Sequence, residues 1–166
     1  NPEWVASDLI GQAEHDDLAQ CILISKDKKL LDKVKTEIFK QLKEIPRESI
    51  AKRSLQNNGI LMYVNSDKKI INIVNKIAPE HLELNVKNYK SIVSKIKNSG
   101  SICLGKYAVM AMTDYNVGSN HVLPTNGSAK YSSGISVNEF YKRISYINLS
   151  KKGIESLGPS VITLAN

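Results

Sequence analysis

Short apolar runs alternate with longer amphipathic segments up to residue 105, and this alternation constrains the fold more than any other feature of the sequence. The apolar runs have the length of buried strands and cover residues 21–25, 60–64, 82–86 and 101–105. The segments around them place apolar side chains at helical spacing and cover residues 2–18, 28–45, 46–56, 66–78 and 88–97. Strands separated by helices predict an α/β fold, with a three-layer, mostly parallel sheet and flanking helices. The carboxyl ends of such strands share one edge, where ligands bind.

The composition is typical of a globular domain. The chain has 166 residues, of which 42% are hydrophobic and 23% are charged. No run approaches the roughly 20 apolar residues of a membrane-spanning helix. The net charge of +7 is compatible with nucleic-acid binding, but the lysines are spread over nearly every predicted helix and the aromatic residues, 6% of the chain, are not interleaved with them. We therefore expect a solvated basic surface, no nucleic-acid partner and no membrane partner.

The two cysteines and the two ends of the chain give expectations about the location of the protein and about whether the chain is a fragment. Cys21 and Cys103 lie in strand-like runs without the spacing of a disulfide or a metal pair, so we expect buried, reduced thiols and a cytoplasmic location. The chain opens directly into a helix start at Asn1 and stops within an apolar pattern, which is expected of a fragment. We predict an α/β domain over residues 1–145 and the start of a helical segment over residues 146–166.

The helical periodicity fades after residue 105. The stretch that follows, residues 111–137, is rich in Gly, Ser, Asn and Thr, and a loop of that length inside a domain is usually functional or disordered. Aromatic and apolar insertions such as Tyr115 and Leu123 argue against disorder. We therefore expect a functional loop.

Three histidines are the main candidates for chemistry. On a helix, Asp8, Gln12 and His15 have the spacing i, i+4 and i+7 and project from one face, so Gln12 and His15 can reach one metal ion. His121 follows Asp114 by seven residues in the long loop. The ordinary alternatives are a solvated helix face for His15 and a surface hydrogen bond for His121.

Glu80 and His81 stand together between a helical pattern and a strand pattern, after Pro79. A histidine suits proton transfer near neutral pH, and the glutamate can handle a second proton or a water molecule. A solvated junction is the alternative. Gln12, His15 and Asp114 have the donor types that zinc accepts, but no HxxH, HExxH or CxxC spacing is present, and no G-x-G-x-x-G follows a strand.

Five blocks occur in an order that resembles histidinol dehydrogenase. They are SDLIGQAEHD, NKIAPEHLEL, GSICLG, DYNVGSNHVLPT and SSGISVNEF, and the resemblance covers residues 1 to about 145. It implies an incomplete dinucleotide-binding-like fold, a zinc-dependent homodimer, and the oxidation of L-histidinol to L-histidine by NAD in histidine biosynthesis. By position, Gln12, His15 and Asp114 match the zinc ligands, which also bind the substrate.

The same resemblance assigns the proton-transfer roles. Glu80 and His81 match the acid–base pair: His81 takes the alcohol proton and also contacts the substrate, and Glu80 activates a water molecule. His121 is assigned only to the pocket lining, and the cofactor-binding residues are not identified.

The chain departs from the family pattern in three ways. The family run resembling Pro-Glu-Ala-x-Gly is replaced by residues 109–113, which read VMAMT. The amino-terminal half, with most of the nicotinamide-binding residues, and the carboxyl-terminal arm, with a further zinc ligand, have no counterpart here. We therefore predict that the isolated chain is inactive. The alternative function is a non-catalytic relic or binding module that retains the fold.

Overall fold

The computed structural model describes all 166 residues, which form two compact units, residues 1–135 and 136–166. The helices of the first unit are α1 (Pro2–Ala13), α2 (Lys28–Gln41), α3 (Glu48–Asn58), α4 (Asp67–Ile77), α5 (Tyr89–Val93) and α6 (Met110–Tyr115). Its strands are β1 (Ile22–Ser25), β2 (Ile60–Tyr63), β3 (His81–Leu84) and β4 (Ser101–Leu104). Short 3₁₀ turns cover Leu42–Glu44 and Ser128–Lys130.

The four strands form two parallel pairs. β1 pairs with β2 in the register Ile22 to Ile60, and β3 pairs with β4 in the register His81 to Ser101. Each pair is a two-stranded sheet whose strands are connected through helices. The α/β class and the parallel strands are confirmed, and each sheet is small.

Local sequence explains where the longer helices begin. The side chain of Asn1 accepts a hydrogen bond from the Glu3 amide (2.9 Å), and Pro2 occupies the first helical position of α1. Asp27 caps α2 in the same way through the Lys29 amide (2.9 Å). Each cap satisfies a backbone donor that the helix itself leaves without a partner.

Helix α1 ends at Ala13, five residues before the predicted end. Beyond it, the Asp16 carboxylate accepts a hydrogen bond from the Leu18 amide (2.7 Å), and Asp17 forms an ion pair with Arg53 (3.0 Å). Aspartate side chains that bind nearby backbone amides compete with helix formation. His15 therefore lies in a turn after the helix rather than on its face.

The first unit contains two apolar cores. The larger core joins α1, α2 and α3 and includes both Ala6 and Val34, which are fully buried. The smaller core includes Ile71, Leu84 and Ile92. Cys21 and Cys103 are buried free thiols, as predicted.

The second unit contains a 3₁₀ turn (Val137–Phe140), a segment without regular secondary structure and helix α7 (Lys151–Ala165). The Ser150 hydroxyl caps α7 by accepting a hydrogen bond from the Gly153 amide (3.1 Å). The sequence-based boundary between residues 145 and 146 stays a prediction. No helix of the protein has the length and apolar character needed to cross a membrane.

Candidate active site

Glu80 and His81 lie where α4 turns sharply into β3. Ala78, which follows α4, is buried and has a left-handed backbone conformation (φ 54°, ψ 63°). A left-handed backbone costs roughly 1–2 kcal/mol for a residue with a Cβ atom, so the surrounding structure must hold it in place. Pro79 then prevents the helix from continuing, and His81 opens β3.

The backbone of β4 holds this turn in place. The amide of Gly100 donates to the carbonyl oxygen of Pro79 (2.9 Å), and the amide of Ser101 donates to the carbonyl oxygen of Glu80 (2.8 Å). A Cβ atom on Gly100 would lie 2.6 Å from the Glu80 carbonyl oxygen and 3.1 Å from Cδ of Pro124. Only glycine permits this close approach.

The two side chains of the candidate acid–base pair are close to each other. The Nε2 atom of His81 lies 3.6 Å from Oε1 of Glu80, and the two side chains are 17% and 35% exposed, respectively. The Nδ1 atom of His81 is buried and has no hydrogen-bond partner. A buried nitrogen without a partner is an unusual cost in a protein, and a bound ligand with a suitable group would remove it.

The side chains of β3 alternate between an apolar and a polar face. Leu82 and Leu84 pack in the smaller core, so His81 and Glu83 project from the opposite face. In the register of the sheet, Glu83 is beside Cys103 of β4. The polar face therefore carries an imidazole, a carboxyl group and a thiol.

Asp8 of α1 brings a second carboxyl group near Glu83. Burial, followed by the negative charge of Asp8, raises the pKa of Glu83 to about 7. Burial also raises the pKa of Asp8 and that of Cys103, and the charge of Glu83 adds to the effect on the thiol.

Asp114 lies on α6, near the same face. Its Oδ2 atom is 3.3 Å from Nδ1 of His121, whereas its Oδ1 atom is buried without a partner. The hydroxyl group of Thr113 donates to the Met110 carbonyl oxygen (2.7 Å), and the charge of Asp114 also raises the pKa of the Cys103 thiol. Asp114 of α6 thus lies near the thiol of Cys103 on β4.

The structure does not join the predicted zinc ligands by direct contact. Gln12 lies in the last turn of α1, one turn beyond Asp8, and His15 is exposed in the following turn, where its carbonyl oxygen accepts from Nη2 of Arg47 (3.2 Å). No hydrogen bond or ion pair links Gln12 or His15 to Asp114. No group of three or more His, Cys, Asp and Glu side chains is arranged to hold a metal ion.

The altered run of residues 109–113 borders an open apolar cleft of about 370 Å³. Val109 precedes α6, and Met112 and Thr113 lie within it. The cleft is lined by these residues together with Leu104, Tyr107, Ala108 and Val117. The run thus presents apolar side chains next to the element that carries Asp114.

Sequence reasoning missed the influence of Asp8 on Glu83 and the pairing of His121 with Asp114. A signal for Glu83 was present, because it follows His81 by two residues in a strand pattern and so shares its face. No local signal indicated that Asp8 of α1 would come near Glu83.

Comparison with known proteins gives one consistent family. Residues 1–166 match the family model described as histidinol dehydrogenase. A relative named histidinol dehydrogenase from Pelagibacter ubique (strain HTCC1062) is 83% identical over 166 residues, which are 100% of this chain and 39% of the relative. A relative of the same name from Listeria monocytogenes serovar 1/2a (strain ATCC BAA-679 / EGD-e) is 42% identical over 165 residues, 99% of this chain and 39% of its own length.

A solved structure agrees with this family. The crystal structure of histidinol dehydrogenase from Elizabethkingia anophelis matches with a TM-score of 0.86 and 39% sequence identity, over 99% of this chain and 38% of that chain. The chain spans about 39% of the length of the curated relatives it matches.

Proposed function

Because the chain belongs to the histidinol dehydrogenase family, we propose that it is the metal-binding and acid–base segment of an enzyme that oxidises L-histidinol to L-histidine. The observation that carries this proposal is the adjacent Glu80 and His81, 3.6 Å apart, with Nδ1 of His81 buried and without a partner. The reaction needs one group that removes a proton from an alcohol and one that activates water.

His81 serves the first oxidation. Its imidazole accepts the proton of the primary alcohol while a hydride leaves the same carbon for NAD, which gives the aldehyde. The neighbouring carboxylate of Glu80 stabilises the imidazolium that results, because opposite charges at this separation attract. The partial burial of both side chains strengthens that attraction relative to water.

Glu80 serves the second oxidation. Its carboxylate removes a proton from a water molecule, whose oxygen atom bonds to the aldehyde carbon to form the hydrate. A second hydride then leaves that carbon for a second NAD, and the product is the carboxylic acid. Two hydrides for two NAD balance the four-electron oxidation.

Gln12, His15 and Asp114 are proposed to hold zinc, with an amide oxygen, an imidazole nitrogen and a carboxylate oxygen as donors. The buried Oδ1 of Asp114, which has no partner, supports the assignment because a bound cation would satisfy it. A zinc ion held there would supply positive charge that orients the amino and imidazole groups of histidinol. The remaining ligand, the nicotinamide site and the homodimer contacts are proposed to come from protein outside this chain, in a cytoplasmic enzyme of histidine biosynthesis.

Calorimetry of this chain with L-histidinol, with and without zinc, tests the proposal. We expect histidinol to bind only when zinc is present, and Asp114→Asn to weaken zinc binding at least tenfold, since an amide oxygen carries no charge. The matched control is Asp32→Asn, which alters an exposed carboxylate on α2. Equal zinc affinity in the two variants, or no binding of either ligand by the wild-type chain, would contradict the proposed metal site.

A further inference from the structure

Side chains from one face of α3 bind the backbone of the turn that carries His15. Three side chains each donate a hydrogen bond to a carbonyl oxygen of this turn, and they are called the α3 donors below. They are Arg47, which donates to His15 (3.2 Å), Asn58, which donates to Asp17 (3.1 Å), and Ser54, which donates to Ala19 (2.9 Å). Arg47 directly precedes α3, and the three positions have the spacing i, i+7 and i+11, which places them on one face.

The three acceptors lie at alternate positions of a segment without regular secondary structure. Carbonyl groups outside a helix or sheet need partners from side chains or water. Here the partners come from residues 32 to 41 positions further along the chain. The backbone of residues 15–19 therefore cannot rotate, or shift along α3, without breaking at least one of these hydrogen bonds.

Ser54 anchors this contact in the interior of the protein. It is the only buried polar residue of the chain, and its side chain is fully buried. A buried hydroxyl group without a partner is costly, so its hydrogen bond to Ala19 is strongly favoured. Ala51 of α3 is buried in the larger core together with Ala13, the last residue of α1. Helix α3 thus packs against α1 and also binds the turn that follows it.

One further contact between α3 and the turn is exposed. The Nε atom of Arg53 lies 3.0 Å from Oδ2 of Asp17, and the two side chains are 52% and 47% exposed, respectively. Exposed ion pairs contribute little to stability and are screened by salt. The hold on the turn therefore depends mainly on the α3 donors, which bind backbone atoms.

We propose that the α3 donors position His15 for metal binding, and that Arg47 is the positioning residue that acts on it directly. The inference rests on the proposed function, in which Gln12 and His15 are zinc ligands. The His15 amide donates to the carbonyl oxygen of Gln12 (3.4 Å), so a fixed turn also fixes the separation of the two ligand residues. Contacts that orient a metal ligand raise the affinity for the metal. Arg47 acts through the backbone of His15 and does not bind the metal itself.

The hold on the turn is tested without metal. Amide order parameters from ¹⁵N relaxation of the metal-free chain compare the wild type with Arg47→Met over residues 14–19. We expect wild-type values of about 0.85, as in a rigid backbone, and a fall towards about 0.6 at His15 in Arg47→Met. The matched control is Lys52→Met, which removes the same charge from another exposed position and should leave the values unchanged. An equally rigid turn in Arg47→Met overturns the inference.

The effect on the metal site is tested by calorimetry with zinc. Loss of a positive charge by itself favours a bound cation, so Lys52→Met should bind zinc as well as the wild type or slightly better. Arg47→Met is expected to bind zinc roughly tenfold more weakly, because His15 is no longer held in place. Arg47→Lys keeps the charge and supplies an N–H donor, so it should restore the affinity to within about twofold of the wild type.

The outcomes separate this inference from the proposed function. Equal zinc affinity in Arg47→Met and Lys52→Met overturns the positioning role, and so does a failure of Arg47→Lys to restore the affinity. If the wild-type chain binds no zinc, the proposed metal site alone is contradicted. The order parameters of the metal-free chain then still decide whether Arg47 holds the turn that carries His15.

Discussion

At the scale of single residues, the site depends on backbone positions that local sequence patterns do not identify as special. Ala78 adopts a left-handed conformation that usually favours glycine, and Gly100 lies where any Cβ atom would collide with the carbonyl group of Glu80. Both residues flank the candidate acid–base pair. Backbone strain of this kind persists only where the surrounding contacts enforce it.

Gly100→Ala is expected to lower the free energy of unfolding by about 1–3 kcal/mol, because the new methyl group would lie 2.6 Å from a backbone oxygen that cannot rotate away. Gly11→Ala is the matched control. It adds a methyl group to α1 where nothing lies within 4 Å, and it should raise stability by about 0.5–1 kcal/mol. Urea unfolding of both variants checks the opposite signs, and a neutral Gly100→Ala would show that β4 does not clamp Glu80.

The titration of Glu83 predicts how stability depends on pH. The folded pKa of about 7 lies above the ordinary value of 4.5, so the folded chain binds this proton more tightly than the unfolded chain does. The contribution of this proton to the free energy of unfolding is therefore fully present below pH 4.5, and it is lost as the pH rises from about 4.5 to about 7. Because Glu83 is only partly buried, the effect should be on the order of 1 kcal/mol.

The substitution Glu83→Gln should remove this part of the pH dependence, since glutamine does not titrate. Urea unfolding at pH 5 and at pH 8 measures it: the wild type should lose more stability between the two values than Glu83→Gln does. The exposed-site variant Glu44→Gln should keep the wild-type difference. Parallel profiles for all three proteins would be inconsistent with a raised pKa at Glu83.

At the scale of elements, a side-chain clamp joins α4 to the segment that leads into β4. The Oδ1 atom of Asn75 accepts hydrogen bonds from the amides of Lys97 (2.6 Å) and Asn98 (3.2 Å), and its Nδ2 atom donates to the Lys95 carbonyl oxygen (3.0 Å). This places Gly100 and the start of β4 against the turn that carries Glu80.

Asn75→Ala is expected to destabilise the chain by about 1–3 kcal/mol, because three backbone groups lose their partner at once. Asn72→Ala, on the exposed side of the same helix, is the control and should change stability little. Thermal unfolding compares the two. Hydrogen exchange should show faster opening of the Ser101 amide only in Asn75→Ala, and protection equal to that of the control would argue against the clamp.

The elements differ in how well the sequence predicted them. α4 and its Ser66 cap follow from strong periodicity and a good capping residue, and the structure agrees to within one residue at each end. α1 was predicted too long, because the Asx turn at Asp16 overrides the weak continuation of its pattern. α6 was missed inside a stretch rich in Gly, Ser and Asn, since a six-residue helix has too few turns to show a period.

At the scale of the whole molecule, the chain covers about 39% of the length of its curated relatives. The proposed reaction uses residues of this chain together with residues that lie outside it. We therefore expect no NADH production from histidinol by this chain alone, even with zinc. The matched test is a chimera in which this chain replaces the corresponding segment of the Pelagibacter ubique relative, a substitution that 83% identity makes conservative.

The chimera should oxidise histidinol, and the same chimera with His81→Asn should be at least a hundredfold slower, because the proton acceptor is lost. The unmodified relative is the positive control. An inactive but folded chimera would favour the non-catalytic alternative. It would also indicate that the altered run of residues 109–113 is incompatible with activity. Zinc-dependent turnover by the isolated chain would contradict the expectation that other segments are needed.

The sequence by itself determined the α/β class and the parallel strands, because alternating periods and caps are local properties of the chain, and its signature blocks singled out Glu80 and His81 as the candidate acid–base pair. Only the tertiary structure decided which groups meet. Asp8 and Glu83 are far apart in sequence, yet in the folded chain the charge of Asp8 acts on Glu83. The same is true of the close approach of Gly100 to Glu80, since side-chain spacing carries no information on distances between segments that meet only in the folded chain.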